Sequence, residues 1–344
     1  MYLFNNAISL QKNTKKLMKN VLGMGNALVD VLILLESDDL LKELNVPKGS
    51  MQLIDSKTIE KIIAATQACE KHLVTGGSAS NTISGLSRLG TKAGFIGKIG
   101  KDDIGRFFHN DMQKNGVEPL LTNSENRSGQ CIVLVSPDGE RTMCTYLGAA
   151  CELTEDDLHP QLFLGYDFFH IEGYLVQNHG LIKKAVRLAK EAGLTVSIDL
   201  ASFNVVEANL DFLKEIISEY IDIVFANEEE AFAFTGKTAE EALTHISTHC
   251  DIAVVKVGKD GSHVKTASNT HRIYAIECNC LDTTGAGDLY AAGFLFGLTK
   301  NYSHDICGNI GSLLSGHVVE VIGAKMQEEK WKNIQEKLYS LTSC

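Results

Sequence analysis

"DTTGAGD" at 282–288 sets an acid at each end of a turn built only from threonine, glycine and alanine, and the apolar run "LYAAGFLFGL" (289–298) follows directly. That run is long enough for a helix, so Gly285, Ala286 and Gly287 fall at a helix N-terminus. The N–H groups there have no partner inside the helix and carry the positive end of its dipole, which makes the turn an anion site. Glycine lets a phosphate approach the backbone because no β-carbon intervenes. Asp288 then stands beside the anion, where a carboxylate can accept the proton of an attacking hydroxyl. The helix terminus is expected to make this base weaker, which is tolerable if the proton moves late. A plain capping turn is the simpler alternative, but a cap does not require acids on both sides.

Working outward, short apolar runs alternate with amphipathic ones. The strand-like runs are "NVLGMG" (20–25), "KAGFIG" (92–97), "YDFFHI" (166–171), "LTVSIDL" (194–200), "DIVFAN" (222–227) and "IAVVKVG" (252–258). Between them lie helix-length segments such as 102–116, 179–193 and 209–220, and three more helices are expected at about 289–299, 303–320 and 328–341. This alternation predicts an α/β fold: a three-layer, Rossmann-like core around a mainly parallel sheet. Residues 31–54 and 129–148 break the rhythm with strand-like stretches and no crossover helix, and "SPDGER" (136–141) is a hairpin turn. They predict a small β-sheet lid on a core that fills the rest of 20–344, with 1–19 as a disordered extension.

Composition narrows the function. Of 344 residues 44% are hydrophobic, and 32 basic against 43 acidic side chains leave a net charge of −11. Nucleic acid is therefore not an expected partner, since no basic stripe could neutralise its phosphates. The nine cysteines include no CxxC pair, and the histidines show no HExxH spacing, so free thiols and no protein-bound zinc are expected. No signal-peptide pattern opens the chain and no apolar run approaches a membrane span, so a cytoplasmic protein is expected.

Other motifs supply what a phosphoryl transfer still needs. "ANEEEAFAF" (226–234) ends a strand and starts a helix, placing Asn227 and Glu230 on one face, where they could hold a hydrated Mg²⁺. Acids also suit a helix start for dipole reasons alone. "KVGKDGSHV" (256–264) reads as a hairpin with Gly258 and Gly261 at its turn, and in a nucleotide enzyme it could wall the ATP ribose and adenine. "GMGNALVD" (23–30) and "GGSASN" (76–81) offer Asn26, Asp30, Gly76, Gly77, Ser78 and Asn81. An acceptor carboxylate with amide and backbone donors is the set that vicinal sugar hydroxyls require.

These segments, in this order, resemble the ribokinase/PfkB superfamily of small-molecule kinases from about residue 20 to residue 325. The resemblance implies ATP-dependent phosphorylation of a hydroxymethyl group with Mg²⁺. It implies that Asp288 is the catalytic base, that Gly285, Ala286 and Gly287 form the anion hole, and that Asn227 and Glu230 serve Mg²⁺ and phosphate. Lys256, Gly258 and Gly261 match the nucleotide loop, with Lys256 standing where threonine is usual, and Asp282 and Thr284 match contributors to a monovalent cation (K⁺) site. The closer similarity is to adenosine-kinase-like members. It implies ribose contacts from Asn26 and Asp30, phosphate contact from Arg141, and base contacts from Met143 and Tyr174. A purine nucleoside is the expected acceptor, with a free sugar or sugar acid as the alternative, on a monomer or homodimer. A non-catalytic nucleotide-binding regulator is a third reading, disfavoured because base, anion turn and NxxE are all present. A Rossmann oxidoreductase lacks its GxGxxG, and neither a Walker A sequence nor a protein-kinase motif set occurs.

Overall fold

Strands that are apolar without alternation need cover on both faces, and the runs carrying that pattern assemble into one sheet. The computed structural model describes residues 19–342, so the extension expected at 1–19 lies outside the described residues but for Lys19. The chain opens with β1 (Val21–Met24), β2 (Leu28–Leu34), α1 (Asp39–Glu43), β3 (Met51–Leu53), α2 (Ser56–Ala65) and β4 (His72–Gly76). Next come α3 (Ser78–Arg88), β5 (Ala93–Gly100), α4 (Asp103–Lys114), β6 (Val117–Ser124), β7 (Gly129–Val135) and β8 (Arg141–Tyr146). The middle holds β9 (Phe168–Glu172), α5 (His179–Glu191), β10 (Thr195–Asp199), α6 (Phe203–Ala208), α7 (Leu210–Tyr220), β11 (Ile223–Asn227), α8 (Glu228–Thr235) and α9 (Ala239–Ile246). It closes with β12 (Ile252–Lys256), β13 (Ser262–Thr266), β14 (Thr270–Ile273), α10 (Ala286–Thr299), α11 (His304–Val318) and α12 (Glu328–Thr342).

Nine strands form the main sheet in the order β14-β13-β12-β11-β10-β9-β1-β5-β6, parallel except at β13 and β14. Alternate residues of β1 feed two apolar clusters. Val21 joins α3, α4, α10 and α11, whereas Leu22 and Met24 join α5, α7, α8 and α9. This is the expected three-layer α/β core. From β1 the chain winds outward to β5 and β6, then returns to β9 and winds the other way, so strand order reverses between β1 and β9. Open α/β sheets bind ligands beyond the carboxyl ends of strands at such a reversal.

A second sheet, ordered β3-β8-β7-β2-β4, buries Val29, Val31 and Ile33 of β2 against Ile59 and Ile62 of α2. The hairpin at 136–141 is present, closed by Ser136 N–H to Glu140 O. Helices α1 and α2 stand among its strands where no helix was expected, and Asp55 caps α2 by accepting from Thr58 N–H. Three strands carry little sequence signal. β6 contains Pro119, which an edge strand tolerates; β14 is a short polar edge; β4 is half exposed. Among the described residues no helix is long and apolar enough to cross a membrane, and eight cysteines are free thiols.

Packing between β1 and α3 fixes the position of the cleft. A β-carbon on Gly23 would stand 2.3 Å from Ile83 Cγ1. Gly23→Ala should therefore destabilise the chain by about 1–3 kcal/mol through overpacking. Most of that increment should vanish in an Ile83→Ala background, as urea titration of the wild type, both single variants and the double variant would measure.

Candidate active site

The carboxyl ends of four adjacent strands bring side chains to one cleft: Glu172 ends β9, Asp199 ends β10, Asn227 ends β11 and Lys256 ends β12. Glu172 and Asp199 are direct register partners, as are Asn227 and Lys256. Asn26, just past β1, donates from Nδ2 to Glu172 Oε1 at 2.5 Å across the reversal point. Glu172 also accepts from the Ala79 N–H at the start of α3, 3.1 Å away. The cleft is about 790 Å³ and is also lined by Asp30, Gly77, Ser78, Asn81, Met143, Tyr174, Glu230, Thr284, Gly287 and Asp288.

Asp288 lies in the first turn of α10, after Gly285, whose φ of +79° suits glycine. Its Oδ1 accepts from Ser78 Oγ at 2.7 Å and its Oδ2 from Asn81 Nδ2 at 2.9 Å. Burial pushes its carboxyl up to about 6, against the lowering effect of these two donors. The expectation of a weakened base is thus corrected: desolvation outweighs the helix terminus. Ala286 N–H bonds Thr283 O at 3.1 Å within the turn, and of the expected trio only Gly287 lines the cleft. A β-carbon on Gly76 would fall 2.5 Å from Asp30 Oδ1, so that glycine makes the room in which the Asp30 carboxylate sits.

A family model described as "pfkB family carbohydrate kinase" matches residues 52–331. The chain belongs to the pfkB family. A solved structure titled as a probable sugar kinase from Rhizobium etli superposes with a TM-score of 0.82 at 31% identity, covering 94% of this chain and 99% of that one. The adenosine kinase structure from Sinorhizobium meliloti gives 0.81 at 32% identity, covering 93% and 99%. The adenosine kinase of Saccharomyces cerevisiae is 27% identical over 89% of this chain and 96% of its own. This pfkB-family chain is a phosphotransferase with an alcohol acceptor, a sugar or nucleoside kinase of adenosine-kinase-like architecture.

In this pfkB-family cleft several expected residues behave differently from the sequence reading. Arg141 does not line the cleft; its guanidinium pairs with Asp282 Oδ2 at 2.6 Å, tying the smaller sheet to the anion turn. Asp282 Oδ1 accepts from Thr284 N–H and Oγ1, and its Oδ2 also accepts from Gly323 N–H. With that carboxylate fully engaged and paired to a guanidinium, it does not fit as a ligand for a monovalent cation. Gly258 and Gly261 shape the β12–β13 turn but do not line the cleft. Lys256 does line it, with Nζ on Asp199 Oδ2 at 2.7 Å, because it is the last residue of a strand and points past the sheet edge.

Asn227 and Glu230 form a reciprocal capping box: Asn227 N–H and Nδ2 donate to Glu230, whose N–H donates back to Asn227 Oδ1. Burial, with Asp199 nearby, pushes Glu230 up to about 7. Glu172, Asp199 and Lys325 were not anticipated. Acids directly after the apolar runs "FFHI" and "VSI" were their available signal. Lys325 is half-buried and does not line the cleft, but its ammonium, with the Arg141 guanidinium, moderates an Asp30 carboxyl that burial raises to about 6.

Four carboxyls around one cleft, Asp30, Asp288, Glu172 and Glu230, are thus raised, to between about 6 and about 7. Their folded forms hold protons that the unfolded chain releases between the ordinary values of 3.8–4.5 and those raised ones. The stability they contribute is present at low pH and is lost as pH rises through that window. Asp288→Asn should flatten the slope between about pH 4 and pH 6 by up to about 1.4 kcal/mol per pH unit. Denaturant titrations across that range, without ligand, would measure the change.

Proposed function

We propose that this pfkB-family chain is an ATP-dependent kinase of a purine nucleoside, phosphorylating the primary hydroxyl of its ribose in the cytoplasm. One observation carries the proposal: a half-buried carboxylate poised near neutrality, Asp288, stands at the anion turn in the same cleft as Asp30 and a broad apolar wall. Leu28, Met51, Leu53 and Met143 of the smaller sheet make that wall, and Tyr174 lines the cleft with them. A flat purine suits such a wall, and an aromatic face can stack on it. Full-length likeness to proteins named adenosine kinase supports the same choice.

The vicinal ribose hydroxyls are held by Asp30, with Asn26, Gly77 and Asn81 beside it, while Glu172 fixes Asn26. The smaller sheet serves as the lid, so water that would hydrolyse ATP is excluded. Ionised Asp288 takes the proton of the primary hydroxyl as the new O–P bond forms and the bond to the β-phosphate oxygen breaks. ADP departs with that electron pair, and Asp288 later releases its proton to solvent. The Gly287 N–H group holds the phosphoryl oxygens. Among the described residues no group of three or more His, Cys, Asp or Glu is arranged to hold a metal ion. Glu230 would hold a hydrated Mg²⁺, and that ion would neutralise phosphate charge. Ser78, placed in the acceptor set by the sequence, lines the cleft and also donates to Asp288 Oδ1 at 2.7 Å.

A free sugar or sugar acid is the second reading, supported by the likeness to the structure titled as a probable sugar kinase. Turnover measured on adenosine, inosine, guanosine, ribose, fructose and 2-keto-3-deoxygluconate decides between them; nucleosides should give the highest kcat/KM, and a sugar acid leading would overturn the purine assignment. Asp288→Asn should lower kcat on the order of 10²-fold or more while ATP still binds. Wild-type kcat should fall as pH drops below about 6, where Asp288 becomes protonated. Asp30→Ala should raise the acceptor KM and change kcat less.

A further inference from the structure

Lys256 brings a half-buried ammonium against the anion turn. A β-carbon placed on Gly287 would stand 3.0 Å from Lys256 Nζ, so the cation and the turn share one spot. Both members of the Lys256–Asp199 pair are largely withdrawn from solvent, with side-chain exposures of 15% and 11%. Among the described residues Asp199 is the only hydrogen-bond partner of Nζ. An ammonium has three donors, so two remain for something in the cleft. The surrounding Asp199, Glu230 and Asp288 carboxylates keep the lysine charged in spite of its burial. Burying an ion pair costs several kcal/mol per ion, and an apolar pair of the same volume is often at least as stable. Stability alone therefore gives little reason to bury this one.

We propose that Lys256 is a catalytic residue of phosphoryl transfer: its ammonium, anchored by Asp199 beside Gly287, donates to the oxygens of the phosphoryl group in flight. The inference rests on the kinase reading above and adds to it a side-chain cation at the anion turn. Where a threonine would offer one neutral hydroxyl, lysine offers a full charge, which is worth more in a water-poor cleft than in solvent. The step itself is unchanged. The acceptor oxygen forms its bond to phosphorus, the bond to the ADP oxygen breaks with its electron pair leaving on ADP, and the hydroxyl proton goes to Asp288. Lys256 keeps its proton throughout and answers the charge spread over the equatorial oxygens.

The rival explanation is that Lys256 merely neutralises Asp199. Lys256→Met alone would leave a buried unpaired carboxylate, so the deciding protein is the Asp199→Asn/Lys256→Met double variant, which removes both charges together. Wild type, both single variants and the double variant would be assayed with ATP and the best acceptor of the panel, after circular dichroism melts check folding. The double variant should lose kcat by ~10²–10³-fold, the scale of one lost transition-state donor. Its acceptor KM should stay within about threefold of wild type, because Asp30 and its neighbours are untouched. A folded double variant with kcat within about threefold of wild type would overturn the role of Lys256 and leave the kinase reading intact. Absence of turnover in the wild type on every acceptor would instead overturn the kinase reading, and this inference with it.

Discussion

Like charges gathered at one edge of a buried sheet are the constraint on which the rest of the structure turns. Parallel strands covered on both faces are apolar along their length, so chemistry concentrates at their last residues. Here that rule sets Glu172, Asp199 and Lys256 side by side, with Glu230 and Asp288 delivered by the first turns of α8 and α10. Five carboxyls, counting Asp30, would not tolerate simultaneous ionisation in so little space. They are accommodated by two half-buried lysines, by hydrogen bonds from Ser78, Asn81, Asn26 and Asn227, and by protonation that persists toward neutrality. Of the two lysines, Lys256 lines the cleft among these acids, while Lys325 acts on Asp30 from outside its lining.

Much of this was legible before any coordinates. The alternation of apolar strands and amphipathic helices announced the layered core, because full burial of a parallel strand leaves no polar positions to confuse the pattern. The turn at 282–288 marked the start of α10, because its glycines directly precede a long apolar run. Elements with weak patterning were harder to see: Pro119 masks an edge strand, and the five-residue α1 is too short to show a helical period.

Partnerships across the chain were the larger omission. Nothing local in "RTMCTY" says that Arg141 will meet Asp282, 141 residues away, rather than a phosphate. Likewise nothing in the strand run "IAVVKVG" says that Lys256 will pair with Asp199, which ends a different strand. The strength of Asp288 as a base also escaped, since a helix terminus is visible in sequence whereas burial under α3 is not. Ionic and desolvation effects depend on three-dimensional neighbours, and a linear pattern carries only a faint image of them.

The close fit of Gly76 against the Asp30 carboxylate reaches beyond this one cleft. Any side chain at 76 would claim the volume that Asp30 occupies, so neither position is free to drift by itself. Sterically the two are one unit: a larger residue at 76 fits only alongside a smaller one at 30. In a relative whose substrate is unknown, the residue aligned with Gly76, which touches no hydroxyl itself, would therefore report whether the acidic grip on the acceptor has been kept.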